Sequence, residues 1–309
     1  MKMRPEFATS LSQEGRDALK GYAAALTVAV IWSGFNIISR LGGQGPFNGF
    51  DLAALRFGVS GLVLLPVFVR LRFRAGPRQL TALATIGGLG YSLTVYSGFR
   101  YAPAVDAGVL VNGGIPFAAT FLGWLILGLR PARHTLVALA CSGAGIVLLA
   151  CQGLRESAAA DGMRWFGDLL FVAAAVCYAA FGILLRRWEV RPLEAISAIA
   201  VLSMGAYVPL YAWVLPGALG QAPLSEILVQ GFYQGLLVAC GATLLFAYAV
   251  SRIGPVRASV MMAVVPAITA VAAIPLLGEP AEIWTLLGVA MVTLGAILGT
   301  MPRKSRHRE

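Results

Sequence analysis

The chain has 309 residues, 58% of them hydrophobic and 12% charged, with a net charge of +10. A soluble domain is about 45–50% apolar and about 25% charged, so a water-exposed globular surface is excluded, and four cysteines are too few for a disulfide scaffold. The basic residues punctuate long uncharged runs instead of forming one basic face, which argues against nucleic-acid binding and for a multi-pass helical membrane protein.

A spanning helix needs about 20 apolar residues. Ten runs qualify: 22–40, 52–69, 80–99, 104–128, 134–152, 167–185, 193–214, 227–250, 255–277 and 282–300. The polar residues 1–21 carry no cleavage pattern, so the first run is expected to be retained. If the N-terminus is inside, the inner segments hold nineteen Lys and Arg and the outer segments only Arg40, Arg100, Arg155 and Arg164. Arg56 falls within a span. This bias places both termini in the cytoplasm. Trp165, Trp213 and Trp284 sit at outer ends, and Trp124 and Trp188 near inner ends, as ordinary interface anchors. Trp32 stands apart in mid-helix. Cys141, Cys151, Cys177 and Cys240 have no metal or redox spacing and read as packing residues.

The chain repeats itself. A shift of 146 lays Ala29-Val30-Ile31-Trp32-Ser33-Gly34-Phe35 on Ala175-Val176-Cys177-Tyr178-Ala179-Ala180-Phe181. A shift of 150 lays Pro116 on Pro266, Thr120 on Ala270, Gly128 on Gly278 and Gly145 on Gly295. Five helices per copy is an odd number, so the copies run oppositely through the membrane. The expected fold is all-α, integral to the membrane, with ten transmembrane helices as two inverted five-helix repeats, a construction common in secondary transporters. The expected organisation is a cytoplasmic segment 1–21, a first repeat 22–152, a linker 153–166, a second repeat 167–300 and a basic cytoplasmic tail 301–309.

Several stretches resemble the EamA-like branch of the drug/metabolite transporter superfamily. They are Ile31-Trp32-Ser33-Gly34-Phe35-Asn36, Ala53-Ala54-Leu55-Arg56-Phe57 and Pro103 through Pro116 in the first copy. In the second they are Ile253-Gly254-Pro255 through Pro266, Leu277-Gly278-Glu279-Pro280, and Leu287-Gly288 to Gly295. The resemblance implies export of an amino acid or similar small metabolite across the bacterial inner membrane, through a central cavity built by both repeats. Two departures stand out. Leu127-Gly128-Leu129-Arg130 lacks the acidic position of its counterpart, and Arg56 has no clear partner in the second copy.

The two matched prolines are the first site candidates. Pro116 frees the carbonyl of Asn112 and Pro266 that of Met262, and freed groups inside a bilayer find a partner or line a cavity. Trp32 and Asn36, four apart, share a helix face, and Tyr178 is the counterpart of Trp32. Gly88, Ser92 and Tyr96 recur every four residues, and Gln234, Gly241 and Tyr248 every seven. These stripes either face a cavity or pack between helices. The substrate-binding set is therefore Trp32, Asn36, Ser92, Tyr96, Asn112, Pro116, Tyr178, Gln234, Met262 and Pro266. Gly231-xxx-Gly235 and Gly295-xxx-Gly299 read as close-packing motifs. Arg56 either snorkels outward, pairs with Asp51 or Asp106, or binds a substrate carboxylate.

The rival readings are an intramembrane enzyme and a passive channel. Gly58-Val59-Ser60-Gly61 has the shape of a rhomboid nucleophile motif, but that chemistry needs a buried histidine, and the chain has only His134 and His307. There is no metal-binding HExxH and no P-loop, so no metal or cofactor is expected. The expected partners are a small metabolite and membrane lipid. Arginine stays protonated, so no proton relay is visible at mid-membrane, and downhill facilitation or exchange is expected.

Overall fold

The structure, a computed structural model, describes the backbone of residues 5–160, 162–280 and 282–300. All regular structure among these residues is helical. The helices are α1 (Pro5–Gln44), α2 (Gly49–Arg70), α3 (Pro77–Leu83), α4 (Tyr91–Tyr101), α5 (Ala104–Leu127) and α6 (Arg133–Ala160), then α7 (Arg164–Arg187), α8 (Pro192–Trp213), α9 (Leu224–Gln230), α10 (Thr243–Met262), α11 (Val265–Leu277) and α12 (Ile283–Thr300). Two π-helical segments, Ala84–Gly90 and Gly231–Ala242, join α3 to α4 and α9 to the first part of α10 into rods; α10 itself breaks at Gly254 (φ 81°, ψ 160°), and residues 255–262 form a separate helical segment that leads into α11. Among the described residues eight helical stretches are long and apolar enough to cross a membrane, and Ile283–Gly299 is a shorter apolar helix. The chain is an all-α, multi-pass membrane protein.

Several element ends differ from expectation. α1 has 40 residues, about 60 Å at 1.5 Å per residue, roughly twice the hydrocarbon thickness. Residues 5–21 are helical because Glu, Arg, Ala, Leu and Lys favour helix in water; hydropathy marks the membrane, not the end of the helix. For the same reason the stretch 153–166, expected as a linker, is helical as far as Ala160. Residues 1–4, 161, 281 and 301–309 lie outside the described residues, and so does the expected basic tail.

The helices pair in a two-fold pattern. α2 packs on α8, α6 on α12, α1 on α10 and α11, and α7 on α4 and α5. In the α6–α12 pair a methyl group on Gly145 would sit 2.6 Å from the Gly288 carbonyl oxygen. One on Gly295 would sit 2.7 Å from that of Ala138. Each contact is the other shifted by 150 residues in both partners. Without a hydrophobic drive between helices in lipid, such close backbone approach supplies the packing. Gly235 does the same against Val59 and the Arg56 carbonyl of α2. Gly128 (φ 67°) and Gly278 (φ 66°), also 150 apart, end α5 and α11 in the left-handed region, where a Cβ is disfavoured.

The helix ends gather at two faces. One holds the turns after α1, α4, α6, α8 and α11 and is rich in carboxylates. The other holds the turns after α2, α5 and α7 and is rich in arginine. At the arginine end Glu194 pairs with Arg191 and accepts the Arg74 and Ala75 amides. At the carboxylate end Asn48 caps α2. Its Oδ1 accepts the Phe50 and Asp51 amides at 2.8 and 3.0 Å, and Asp51 Oδ2 accepts the Asn48 amide.

Candidate functional site

A cavity of about 440 Å³ lies between the two sets of helices, within the range of small-ligand sites. α1 contributes Trp32 and Asn36, α5 contributes Asn112 and Pro116, α7 contributes Tyr178, and Met262 and Pro266 come from α10 and α11. Seven of the ten expected site residues thus line one space.

The remaining three do not line it. Ser92, Tyr96 and Gln234 are fully buried in the wall behind the cavity. Tyr96 donates to Gln234 Oε1 at 3.0 Å, and Gln234 Nε2 donates to Ser39 at 2.9 Å and to Gln230 at 3.2 Å. The Ser92 hydroxyl has no hydrogen-bond partner among the described residues. Of the two alternatives for the stripes, the structure places Gly88 against Ser203 and Ile199, and Tyr248 exposed with Arg252 over its ring, and neither lines the cavity. The π turns shift helical register, so a spacing of four or seven residues does not keep one face.

The sequence reading missed Tyr91, Phe246 and the placement of Arg56. Tyr91 and Tyr178 form one aromatic pair and Trp32 and Phe246 another, each with ring centroids 5.5 Å apart. Both pairs join the first helix of one half to the third rod of the opposite half, and both line the cavity. Arg56 also lines it and is the one charged side chain among the described lining residues. Of the alternatives the sequence offered for it, pairing with Asp51 or Asp106 is not the one the structure shows. Asp51 is occupied by its capping role, by the Ala218 amide at 2.9 Å and by the Tyr211 hydroxyl. Asp106 forms a two-armed ion pair with Arg164 at 2.8 and 2.9 Å.

The prolines behave differently from one another. α5 continues through Pro116, and Asn112 Nδ2 donates to the Gly108 carbonyl at 3.1 Å. The second helix breaks. α10 stops at Met262, residues 263–264 form a turn, and α11 starts at Val265. Ser33 donates to the Val265 carbonyl at 3.2 Å, and Asn36 donates to Thr269 Oγ1 at 3.1 Å, tying α1 to α11.

The two ends of the cavity contrast. Toward the arginine end its lining reaches Thr135, near the start of α6, and Gly299, near the end of α12. Toward the carboxylate end the deepest lining residues, Asn36, Arg56 and Val111, stop about two helical turns short of the helix ends. Beyond them the Arg40–Glu279 and Arg164–Asp106 ion pairs tie α1, α5, α7 and the turn after α11. Glu279 Oε1 also accepts the Ala104 amide at 2.9 Å. Burial holds the Glu279 carboxyl above the usual glutamate range despite Arg40 and the Ala104 amide, with Asp106 adding to the rise.

Fold and site together define a polytopic helical membrane protein with one central cavity, walled by both halves of the chain and tied shut at one end. The sequence matches the EamA-like transporter family over residues 19–151 and 165–301. The chain belongs to that family and is a membrane transporter. Among its relatives, the uncharacterized transporter YyaM of Bacillus subtilis (strain 168) is 23% identical, with 82% of this chain and 85% of that protein aligned. An uncharacterized transporter of Clostridium kluyveri is 24% identical over 93% of this chain and 95% of that protein. One of Archaeoglobus fulgidus is 24% identical over 89% and 95%. A crystal structure at 19% identity shares the fold, with a TM-score of 0.60 over 90% of this chain and 95% of its own.

Proposed function

We propose that the protein is a ten-helix secondary transporter, without enzymatic activity, that moves a small metabolite by alternating access across the bacterial inner membrane, in the export direction. The observation that carries this reading is the asymmetry of the cavity. It reaches one end of the helices and is tied off at the other by ion pairs contributed by both halves. Two five-helix copies in opposite orientation can exchange conformations and so move the opening from one side to the other. The 150-residue match of left-handed glycines, the reciprocal α6–α12 contacts, and the two family matches along the chain support two such copies. The substrate set is Trp32, Asn36, Asn112, Pro116, Tyr178, Met262 and Pro266, with Ser92, Tyr96 and Gln234 as the layer that supports them.

The arginine end is assigned to the cytoplasm, so the cavity is open inward. In a cysteine-free background, Ser225→Cys should react with an impermeant thiol reagent added to whole cells, and Arg78→Cys should not; the reverse pattern inverts the orientation. The transport test is counterflow of labelled metabolites in proteoliposomes without a pH gradient. Exchange above that of empty liposomes is expected. A protein that exchanges nothing, or that leaks every solute of a given size, overturns the carrier reading.

A further inference from the structure

Among the described residues Arg56 is a cation without a counter-ion. It sits seven residues into α2, about 10 Å from the helix start, at the blind end of the cavity. Its one hydrogen bond among the described residues runs from Nη1 to the Tyr96 hydroxyl at a long 3.4 Å. Three carboxylates of the same end are committed: Asp51 to its cap and to Tyr211, Asp106 to Arg164, and Glu279 to Arg40 and the Ala104 amide. No Asp or Glu lines the cavity among the described residues. A guanidinium carries five donors and no acceptor. An unpaired arginine at membrane depth is costly and is by default a functional group.

The surroundings hold Arg56 for use. Tyr96 is locked by Gln234, and Gln234 by Ser39 and by Gln230, whose amide donates to the Ile38 carbonyl at 2.7 Å. The relay runs from α1 through the rods that carry Tyr96 and Gln234 to the guanidinium. It engages one arm of the fork and leaves the other donors available to the cavity. The two aromatic pairs offer flat apolar surface beside the charge.

We propose that Arg56 binds the anionic group of the transported molecule, a carboxylate of a small organic acid or zwitterion, and that this group completes the ion pair the protein leaves open. The inference rests on the carrier reading and deepens it by naming the substrate class. A planar monoanion matches a guanidinium in shape and in charge. A phosphate or phosphonate dianion would leave one charge uncompensated, because no second cation lines the cavity among the described residues. Tyr96 and Gln234 are positioning residues: they act on the substrate through Arg56.

The test is ligand protection against thermal unfolding of the purified full-length protein in detergent. The probes are phenylacetate, N-acetylleucine and lactate, each beside its own primary amide, with phenylphosphonate as the dianion arm. At least one acid should protect at concentrations at which its amide, at tenfold excess, does not. Arg56→Gln should abolish the acid's protection, and Arg56→Lys should keep it at weaker affinity. Tyr96→Phe should weaken acid binding without changing the preference for acid over amide. Arg56→Met should leave the Tm of the empty protein unchanged or raised, since it removes an unpaired buried charge; a fall of many degrees would assign Arg56 a structural role and overturn the proposal. Equal protection by acid and amide, undiminished acid binding in Arg56→Gln, or no protection by any acid would also overturn it. Tighter binding of the phosphonate than of every acid would overturn the carboxylate assignment. Failure here alongside working counterflow of neutral metabolites leaves the carrier reading intact. Acid binding without counterflow of any solute removes the carrier reading and leaves the anion site.

Discussion

α5 and the α10–α11 pair begin from one pattern and end in two shapes. Pro116 and Pro266 stand 150 residues apart, and both lack the donor a helix needs. α5 runs unbroken from Ala104 to Leu127, whereas its counterpart opens into a turn at 263–264 and restarts with Pro266 in the first turn of α11. In that first turn the missing donor is harmless. The partner helix also differs between the two halves. Ser33 of α1 supplies a hydroxyl to the Val265 carbonyl, and Asn36 reaches Thr269. At the 146-residue shift α7 has Ala179 and Gly182, and α5 has Ala119 where α11 has Thr269. A helix in an apolar medium breaks only where its freed groups find partners. Proline permits the break, and donors on α1 fasten the helix that restarts beyond it.

The largest expected effect comes from removing such a donor. Asn36→Ala deletes the amide that joins α1 to α11 at the cavity wall. Interhelical hydrogen bonds in membranes are worth up to about 1–2 kcal/mol, which is roughly 5–30-fold in an equilibrium. Counterflow should fall about tenfold at unchanged membrane abundance. The counterpart change, Gly182→Ala, adds a methyl group to open space and should leave counterflow near wild type. Equal losses in both variants would mean that the two junctions do the same work, and the comparison would fail.

Much of this was legible in the sequence. The apolar runs marked an all-helical, multi-pass membrane chain, because the bilayer demands length and hydropathy and little else, although eight of the ten expected runs meet the length and hydropathy of a span among the described residues. The 150-residue match paired the two cavity prolines and the two glycines. What escaped was face and register. Helices that are apolar on every side carry no amphipathic signal, so nothing told Tyr91 and Phe246, at the cavity, from Ser92 and Gln234, behind it. The π segments were invisible because glycine-rich stretches such as Ile86-Gly87-Gly88-Leu89-Gly90 are equally compatible with α packing. Arg56 was conspicuous as a charge within a span. Its lack of a carboxylate partner emerged only once Asp51 was seen capping α2 and Asp106 bound to Arg164.

Where the halves agree in shape, they should also agree in energy. Leu129 donates its amide to the Gly123 carbonyl and Gly128 to that of Trp124. Glu279 and Gly278 repeat the pattern onto Ala273 and Ile274. Both glycines are left-handed, and a side chain there is strained by about 1–2 kcal/mol. Gly128→Ala and Gly278→Ala should therefore lower the Tm in detergent by similar, modest amounts. A loss confined to one of them would show that the shared turn is supported differently in the two halves.

The smallest effect separates the halves again, at the residue just past that turn. Leu129 is 47% exposed at the arginine end, whereas Glu279 is 9% exposed at the carboxylate end and joined to Arg40. Glu279 Oε1 is bonded, but Oε2 is buried with no hydrogen-bond partner among the described residues. Burial outweighs Arg40 and the Ala104 amide, and nearby Asp106 adds repulsion, so the folded protein holds this proton at a higher pH than the unfolded chain does. A carboxyl raised in this way contributes stability that is fully present below the ordinary glutamate range and is lost as pH rises through the folded value. Tm measured from pH 4 to pH 8 should therefore fall in the wild type relative to Glu279→Gln, which cannot ionise. The slope is the readout, since the variant also loses the charge opposite Arg40 and its curve is displaced as a whole. A wild-type Tm that rises with pH relative to the glutamine variant would mean that the attraction of Arg40 exceeds the burial penalty. The carboxylate end would then be fastened by a net-favourable ion pair, and opening it would require breaking that pair without help from protonation.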